Sequence, residues 1–503
     1  MEKFISDITY KAVDFDPFGG PAIERTVPST EAQREVFVAS LMGPEASCAY
    51  NESVSLELTG ELDVARMEQV IAQLVARHES LRCRMSADGL RIIVLEHEDI
   101  KHPFIDLTGK NAIEQQRELD AFAERDMTTA FDLLNGPVFR TVIIKLAIDK
   151  HLLRLTGHHL VCDGWSLGII MADISKLYNG DPLEAAVPFS DYAMAQLDFE
   201  QSAAQAEVER YWLDTFKGTL PRVDLPTDRP RPQQKTFSSR RIDMEMDPGL
   251  VRRLRETATR TGTSLVTTLL TCFELLVYRL TGDGDMCIGL PAAGQNDFGM
   301  KNLVGHCVNL LALRSRVDDE RPFAEHLKER RSTMLDVSDH QKYTFGTLVR
   351  KLNVPREPGR VPLVPVVFNI DMNMDDGVAF KGLTHRLVSN PRRFENFELF
   401  LNIVGRRDGG MGIEAQYNTD LFDDATIRRW LGLYETLMHS AMDDLSRPVG
   451  QLALLPSSEL QALAALQPTP VPAEGVPLMH AGFTRQAKAT PERAALRSGR
   501  ERM

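Results

Sequence analysis

The segment GHHLVCDGWS, at positions 157–166, lies where a predicted strand turns into a predicted helix. Apolar runs rich in β-branched residues at 138–146 and 152–155 precede it and indicate two strands. After it, apolar residues recur at helical spacing through Leu177, and Ser166 is placed to cap the first turn. The two histidines therefore end a strand, and the following Asp-Gly pair forms a turn at which side chains converge on a pocket.

Adjacent residues of a strand point to opposite faces, so only one of His158 and His159 can face a given cavity. The other is expected to be fixed by packing. Asp163 can orient an imidazole, or it can pair with an arginine and hold the turn rigid. Gly164 lacks a Cβ, so it can adopt a positive φ and let a substrate approach the backbone. The spacing alone is equally compatible with ordinary loop residues ahead of a turn.

The composition indicates a soluble globular protein with more than one domain or lobe. The chain has 503 residues, of which 43% are hydrophobic and 26% charged. Its net charge of -13 disfavours nucleic acid or an anionic membrane as the main partner, because both attract basic patches. No apolar run reaches the ~18 residues of a membrane span, and the N-terminus lacks a signal-peptide layout. We therefore expect a cytoplasmic protein.

No metal site is predicted, because such a site needs three or four converging ligands. The six cysteines are scattered without close pairs, and no His or carboxylate cluster has suggestive spacing. The cysteines are interpreted as reduced core thiols.

The chain divides into two similar halves with short flanking segments. Positions 1–26 are predicted to form an N-terminal arm. A proline-rich stretch at 225–232 cannot be a helix or a central strand and is interpreted as an extended connector between the halves. The second half repeats the alternation of strands and helices. Past position 456 the composition shifts to Ala, Pro and Gln, and positions 467–472 are interpreted as a semi-rigid linker.

HHLVCDGWS resembles the HHxxxDG signature of nonribosomal peptide synthetase condensation domains, whose superfamily includes chloramphenicol acetyltransferase. Further partial matches follow in chain order. Positions 30–35 resemble SxAQxR, with Glu35 in place of Arg, and positions 77–85 resemble RHExLRTxF. Positions 189–195 resemble YxDYAxW, and the proline-rich stretch resembles the peptide that crosses between the two lobes.

Two matches lie in the second half. Positions 302–311 resemble the fifth family motif, with Gly305, Val308 and Asn309 in agreement and with His306 and Cys307 in place of its commoner residues. Positions 480–496 resemble the opening helix of an adenylation domain. The chain is therefore expected to be a piece of a longer megasynthase, and this short tail is too small to build its own core.

The resemblance implies an α/β (α+β) fold of two chloramphenicol acetyltransferase-like lobes in a V-shaped pseudo-dimer, with the active site at the lobe junction. The expected domains are an arm at 1–26, a first lobe at 27–185, a second lobe at 186–456 with the connector at 218–236, and a linker with the adenylation start at 457–503.

The resemblance also implies that the protein forms an amide bond between two thioesters, each carried on the phosphopantetheine arm of a partner carrier protein. The partners would be an upstream acyl or peptidyl carrier, a downstream aminoacyl carrier and the adjacent adenylation domain. No covalently bound cofactor is expected, since the phosphopantetheine arms act as substrates.

The expected site centres on His159, which would face the cavity and assist the attacking amine, with His158 as its structural neighbour. Asp163 would pair with an arginine, Arg77 first and Arg82 second. The backbone amide of Gly164 and the side chain of Asn309 would contact the intermediate. Three residues are expected to support the site, namely Trp165, Ser166 and Tyr192.

Other members of the superfamily are weighed on their motifs. An epimerisation domain shares HHxxxDG, but positions 368–371 do not resemble its FNYLG-like sequence. A heterocyclising domain would carry Asp in place of His158, and a freestanding plant-type acyltransferase would show DFGWG. A catalytically idle carrier-binding module of the same fold stays open, as does a hydroxyl nucleophile that would give an ester. Positions 46–52 and 290–295 hint at a polyketide donor.

Overall fold

The computed structural model describes residues 20–372, 374–466, 479–498 and 501–502. The predicted linker at 467–472 and most of the predicted arm at 1–26 lie outside these residues. The chain divides into a larger compact unit that ends at Leu454 and a smaller one that begins at Leu455.

The strands of the described residues are numbered in chain order as follows: β1 Ile23–Pro28, β2 Asn51–Thr59, β3 Cys83–Met85, β4 Arg91–Leu95, β5 Phe104–Asp106, β6 Phe139–Ala147, β7 Lys150–His158, β8 Ser239–Glu245, β9 Asp285–Ala293, β10 Val308–Arg316, β11 Val366–Asp371, β12 Thr384–Ser389, β13 Leu399–Gly405, β14 Met411–Asn418, β15 Arg497–Ser498 and β16 Glu501–Arg502.

The α-helices are numbered likewise: α1 Glu31–Ser40, α2 Pro44–Cys48, α3 Val64–Arg77, α4 Ala112–Thr128, α5 Gly164–Asn179, α6 Phe189–Glu200, α7 Ala203–Thr215, α8 Pro248–Thr261, α9 Leu265–Thr281, α10 Phe323–Asp339, α11 Phe345–Lys351, α12 Asp424–Asp443, α13 Ser457–Leu466 and α14 Met479–Ala489. Short 3₁₀ helices span Glu79–Arg82, Gly294–Phe298 and Val449–Gln451.

The first lobe is built on a five-stranded sheet with the order β12-β2-β7-β6-β5. Helices α3 and α5 pack together beside it, and their apolar stripes share one core with the inward side chains of β2 and β7. Asp63 caps α3 by accepting a hydrogen bond from the Arg66 N–H at 3.0 Å. The observed bounds of β7 enclose the strand predicted at 152–155.

The second lobe is built on a six-stranded sheet with the order β10-β9-β11-β13-β14-β8. Helix α9 contacts α8, α10 and α12 and is buried around most of its circumference. The mixed α/β class predicted from the sequence is confirmed. A small third sheet in the larger unit has the order β1-β4-β3.

Strand β12 joins the two lobes, because it comes from the second half of the sequence but completes the sheet of the first lobe. It pairs antiparallel with β2, from Thr384 opposite Thr59 to Ser389 opposite Val54. The segment before it contributes Val378, Phe380 and Leu383 to the first-lobe core. Assigning all of 186–456 to the second lobe was therefore wrong for this segment, since strand pairing between distant residues leaves no local sequence signal.

The predicted arm also needs correction, because β1 is a strand that pairs with β4 from Ile23 opposite Leu95 to Pro28 opposite Arg91. Its exposed side chains gave no core-facing pattern. The connector at 218–236 is irregular and runs along the second lobe, where the Asp228 N–H donates to the Leu421 carbonyl at 2.9 Å.

Among the described residues, no single helix has the length and apolarity to cross a membrane. Helices α8 and α9 reach that level only when taken together, across a bend of 109°.

Candidate active site

The turn between β7 and α5 is held by Asp163, which is the N-cap of α5. Its carboxylate accepts from the Ser166 N–H at 2.8 Å and from the Ser166 hydroxyl at 2.7 Å. The prediction that Ser166 caps this helix was therefore wrong. Ser166 lies in the first turn instead, where its hydroxyl oxygen accepts from the Gly305 N–H at 3.0 Å and lies 2.9 Å from the Gly305 carbonyl oxygen.

The Asp163 carboxylate also ties the two lobes together. Its side chain is 0% exposed, and it accepts from the Gln295 side-chain amide at 3.1 Å and from the Cys307 N–H at 3.0 Å. Burial raises the pKa of Asp163, and the hydrogen bonds from Ser166, Cys307 and Gln295 oppose that rise. Four neutral donors thus take the place of the cation that we expected.

The two arginines predicted to pair with Asp163 have other partners, so that prediction was wrong. Arg77, at the end of α3, donates to Asp173 at 2.8 Å, and His78 contacts the same carboxylate at 2.9 Å. Arg82 pairs with Glu24 at 3.0 Å. Asp173 lies in α5, which packs on α3, so it is the carboxylate that the end of α3 reaches.

The two neighbouring histidines face different surroundings. His158 is 0% exposed and packs against the rings of Tyr50 and Phe131. The side chain of His159 keeps 21% exposure and borders a cavity of about 580 Å³. Its backbone N–H donates to the Tyr50 carbonyl at 2.7 Å, which fixes the end of β7 beside the start of β2. This is the arrangement that alternation along a strand predicts.

The cavity is lined by both lobes. The first lobe contributes residues from α1, β2 and the β7–α5 turn, and the second contributes the ends of β9 and β10, the inner faces of β11, β13 and β14, and the loop after β12. Charged and amide side chains form much of its wall, including Glu35, Glu52, Asp371, Arg392 and Asn402. His159 thus stands at the junction of the lobes.

The His159 ring has a polar neighbour on each nitrogen. Its Nδ1 lies 3.0 Å from Nδ1 of His306, and its Nε2 lies 3.4 Å from a Glu52 carboxylate oxygen. That oxygen also accepts from Arg392 at 2.8 Å. Burial lowers the pKa of His159 to about 4, and the positive charge of Arg392 acts in the same direction. At neutral pH the ring is therefore uncharged.

Burial likewise keeps the other two imidazoles neutral. It lowers the pKa of His158 to about 3 and that of His306 well below its ordinary value. Neutral imidazoles carry a lone pair on one ring nitrogen and a proton on the other, which is the state that a proton acceptor requires.

Gly164 and Asn309 line the cavity, and the structure corrects the expected backbone conformation of Gly164 and the expected free amide of Asn309. Gly164 does not adopt a positive φ, and a Cβ built on it would meet no atom within 4 Å. Its missing side chain therefore leaves space in the cavity rather than enabling a strained turn. The Asn309 amide is engaged by backbone: it donates to the carbonyls of Gln341 and Tyr343 at 2.8 and 2.7 Å and accepts from Phe345.

Of the remaining predicted support residues, Trp165 links the two lobes and Tyr192 packs within the second lobe. The Trp165 indole N–H donates to the Lys301 carbonyl at 3.1 Å. Tyr192 is buried, packs on Phe298 and lies 3.5 Å from the Cys307 carbonyl through its hydroxyl.

Sequence reasoning missed three residues of the site, namely Glu52, Arg392 and His306. Glu52 lies in a strand of alternating polarity, and Arg392 lies in a loop without a motif. The signal that could have found His306 was its departure from the commoner residue of the fifth motif. In the described part of the chain, no group of three or more His, Cys, Asp or Glu side chains is arranged to hold a metal ion.

The family model of the condensation domain matches residues 23–464. The chain belongs to the condensation-domain family. Its match extends over both lobes and the cavity between them. Among curated proteins, this condensation domain is 31% identical to surfactin synthase subunit 1 of Bacillus subtilis (strain 168) over 94% of its length. It is 30% identical to tyrocidine synthase 3 of Brevibacillus parabrevis over 93% of its length. It spans 13% and 7% of those two proteins, respectively.

Solved structures share its fold at low sequence identity. The condensation domain from Monacolin K polyketide synthase MokA superposes with a TM-score of 0.77 at 19% identity, covering 85% of this chain and 100% of that one. AB3403, a four-domain nonribosomal peptide synthetase, superposes with a TM-score of 0.79 at 19% identity, covering 98% of this chain and 38% of that one. The predicted fold family is thereby confirmed.

Proposed function

We propose that this condensation domain forms an amide bond between an acyl or peptidyl thioester and an aminoacyl thioester, each presented on the phosphopantetheine arm of a carrier protein. The observation that carries the proposal is the neutral imidazole of His159 at the wall of a cavity shared by both lobes. A reaction between two tethered substrates needs such a meeting place. Membership of the condensation-domain family supports this reaction class.

The chemistry asks the site to align the substrates and to remove one proton. The amine attacks the thioester carbonyl, a C–N bond forms, the C–S bond breaks, and the proton lost by nitrogen ends on the departing sulfur. Alignment of bound reactants can contribute roughly 7–11 kcal/mol. A positioned base adds roughly 10²–10⁴-fold. We assign proton acceptance to the imidazole of His159 or to a group in direct contact with it. His158 and Asp163 have a structural role.

We further propose that the segment at 480–496 begins an adenylation domain, so that the acceptor carrier lies downstream in the same assembly. Helix α14 covers most of this segment. The similarity to AB3403, which covers 98% of this chain, supports the assignment.

The function is tested with the full chain and small thioesters in place of carriers. The donors are acetyl-, octanoyl- and alanylalanyl-pantetheine, and the acceptors are aminoacyl-pantetheines together with one hydroxyacyl analogue. Products are read by intact mass and chiral chromatography. Amide from any pair supports the proposal, whereas only ester, only an inverted α-carbon, or no product contradicts it. A reference condensation domain run on the same panel shows that the assay detects turnover.

A further inference from the structure

His306 and His159 form one hydrogen-bonded pair across the lobe junction. Their Nδ1 atoms are 3.0 Å apart and their rings are nearly perpendicular, at 89°. His306 comes from the loop before β10 in the second lobe, and it lines the same cavity as His159. Within the described residues, no group hydrogen-bonds to Nε2 of His306, which leaves that atom available to a substrate.

The neighbours of His159 decide where the proton between the two rings lies. One of the two Nδ1 atoms must donate and the other must accept. If His159 donated, the lone pair on its Nε2 would face the Glu52 carboxylate at 3.4 Å, which is repulsive. If His306 donates instead, His159 carries its proton on Nε2 and presents it to Glu52. Only the second arrangement makes both contacts attractive.

Glu52 is itself held in place. It accepts from Arg392 at 2.8 Å, and Arg392 also donates to Glu395 at 2.9 Å. The side chains of Glu52 and Glu395 are 15% and 1% exposed, so the carboxylate stays beside His159 by packing as well as by charge. In this arrangement both nitrogens of His159 are engaged. Of the two imidazoles, only His306 then has a free lone pair, on its Nε2.

We propose that His306 is the catalytic histidine, which accepts the proton of the attacking amine on Nε2 while His159 and Glu52 hold it in the required tautomer. The proton passes from the amine nitrogen to His306 Nε2 and from there to the sulfur of the departing phosphopantetheine thiolate. The positive charge that forms meanwhile on His306 is shared through His159 with Glu52. This inference rests on the proposed amide-forming function and identifies the group that touches the amine.

The tautomer is tested without substrate. The full chain, with its 12 histidines labelled with ¹⁵N, gives two-bond ¹H–¹⁵N correlations that separate protonated from unprotonated ring nitrogens. His159→Gln and His306→Gln assign the two rings. We expect the proton of His159 on Nε2 and that of His306 on Nδ1, and we expect Glu52→Gln to shift this pattern. A proton on Nδ1 of His159 overturns the proposal, whatever the activity.

The catalytic role is tested by single-turnover amide formation with the substrate pair found above. We expect His306→Gln and His159→Gln each to lower the rate at least about 10²-fold. The double variant should be no slower than the less active single variant, because the two rings act as one unit. His151→Gln, which removes another buried histidine at the far end of β7, is the matched control and should keep the parent rate.

The outcomes separate this proposal from the proposed function. Near-parent amide formation by His306→Gln overturns the role of His306 while the amide-forming function stands. Losses that multiply in the double variant also overturn it, because they indicate two independent roles. If the parent itself makes no amide, the function fails, and the tautomer measurement still decides the arrangement of the pair. Unfolding curves of all variants separate loss of fold from loss of chemistry.

Discussion

The two lobes contain the same strand–turn–helix unit, but histidines stand at the junction of strand and turn only in the first lobe, at positions 158 and 159. In the first lobe β7 runs through the turn at 159–163 into α5, and in the second β14 runs through a turn of equal length at 419–423 into α12. Each turn places an aspartate at the N-cap of its helix, Asp163 and Asp423 respectively. The backbone of the histidine motif is therefore a structural unit that the fold uses twice.

Three backbone hydrogen bonds of the first turn have counterparts in the second. The shared pattern comprises a bond from the last strand residue, one from the next residue and one within the turn. The pairs are His158 N–H to Val138 and Asn418 N–H to Glu398, both at 3.0 Å; His159 N–H to Tyr50 at 2.7 Å and Thr419 N–H to Ser238 at 3.0 Å; and Val161 N–H to His158 at 3.0 Å and Leu421 N–H to Asn418 at 3.2 Å.

The side chains of the two turns differ in burial and in their partners. Asp163 is fully buried and receives donors from the other lobe, whereas Asp423 is 54% exposed, makes no side-chain cap and pairs with Arg229. Thr419 stands where His159 does. An Asp-capped turn after a strand therefore needs no catalytic explanation, whereas the neutral imidazoles beside the first turn do.

The largest difference is expected when the matched residues His159 and Thr419 are each truncated to alanine, because only His159 lines the cavity. We expect His159→Ala to lower single-turnover amide formation by at least about 10²-fold, since it removes one member of the base. Thr419→Ala should keep the parent rate. Both variants should keep the parent unfolding midpoint to within a few degrees. Equal rates for the two variants would remove His159 from the mechanism.

The two aspartates should differ in stability. Asp163→Asn replaces one acceptor oxygen by an NH₂ group that faces buried donors, so we expect a loss of about 2–3 kcal/mol in urea unfolding. Asp423→Asn should change stability by less than about 0.5 kcal/mol, because its ion pair is half exposed. Activity of Asp163→Asn should fall in step with folding. Lost activity at unchanged stability would instead give Asp163 a direct catalytic role.

Of the two turns, the first should contribute to the pH dependence of stability, because His159 stands where the second has Thr419. Because the fold lowers the pKa of His159 to about 4 from 6.5, the unfolded chain binds a proton first as pH falls. The contribution of this ring to stability is therefore present above pH 6.5 and is lost as pH falls from 6.5 towards 4. The charged groups that face the imidazole pair are Glu52 on β2 and Arg392 after β12.

This loss is measured by urea unfolding at pH 7.5 and pH 5. Between pH 7.5 and pH 5, the free energy of unfolding should fall by about 1–2 kcal/mol less in His159→Gln than in the parent. Thr419→Ala should follow the parent. An identical pH dependence in the parent and in His159→Gln would show that His159 titrates normally in the folded protein.

The smallest effect is expected at Gly164, whose counterpart in the second lobe is Asp424. The second turn carries a side chain at the equivalent residue, Asp424, and a Cβ on Gly164 would meet no atom within 4 Å. Gly164→Ala should therefore change stability by less than about 0.5 kcal/mol. Its methyl group enters the cavity, so octanoyl transfer should fall by about tenfold and acetyl transfer by less. A large stability loss in Gly164→Ala would instead show that the turn needs glycine for its backbone conformation.

The sequence predicted what depends on neighbouring residues. Alternation along β7 separated the roles of His158 and His159, and helical spacing located α5. Asp163 and Ser166 are both favoured cap residues, so periodicity located the start of α5 only to within one turn. The cap was therefore assigned to the wrong one of the two.

What failed depends on residues far apart in the chain. The partners of Asp163 come from the other lobe, so an arginine of the nearer motif was preferred to Gln295 and Cys307. His306 was interpreted as a departure from the family motif, because a single imidazole has no meaning until its neighbour is known. Its contact with His159 joins residues 147 positions apart.

The pairing of β12 with the sheet of the first lobe limits where this domain can be cut to build chimaeras. A fragment cut at the connector would leave the edge of β2, from Val54 to Thr59, with unpaired backbone groups that invite aggregation. Swapping lobes between relatives would force the donor's β12 to match a foreign edge strand. The boundaries of a graft should therefore keep positions 384–389 together with their native partner strand β2.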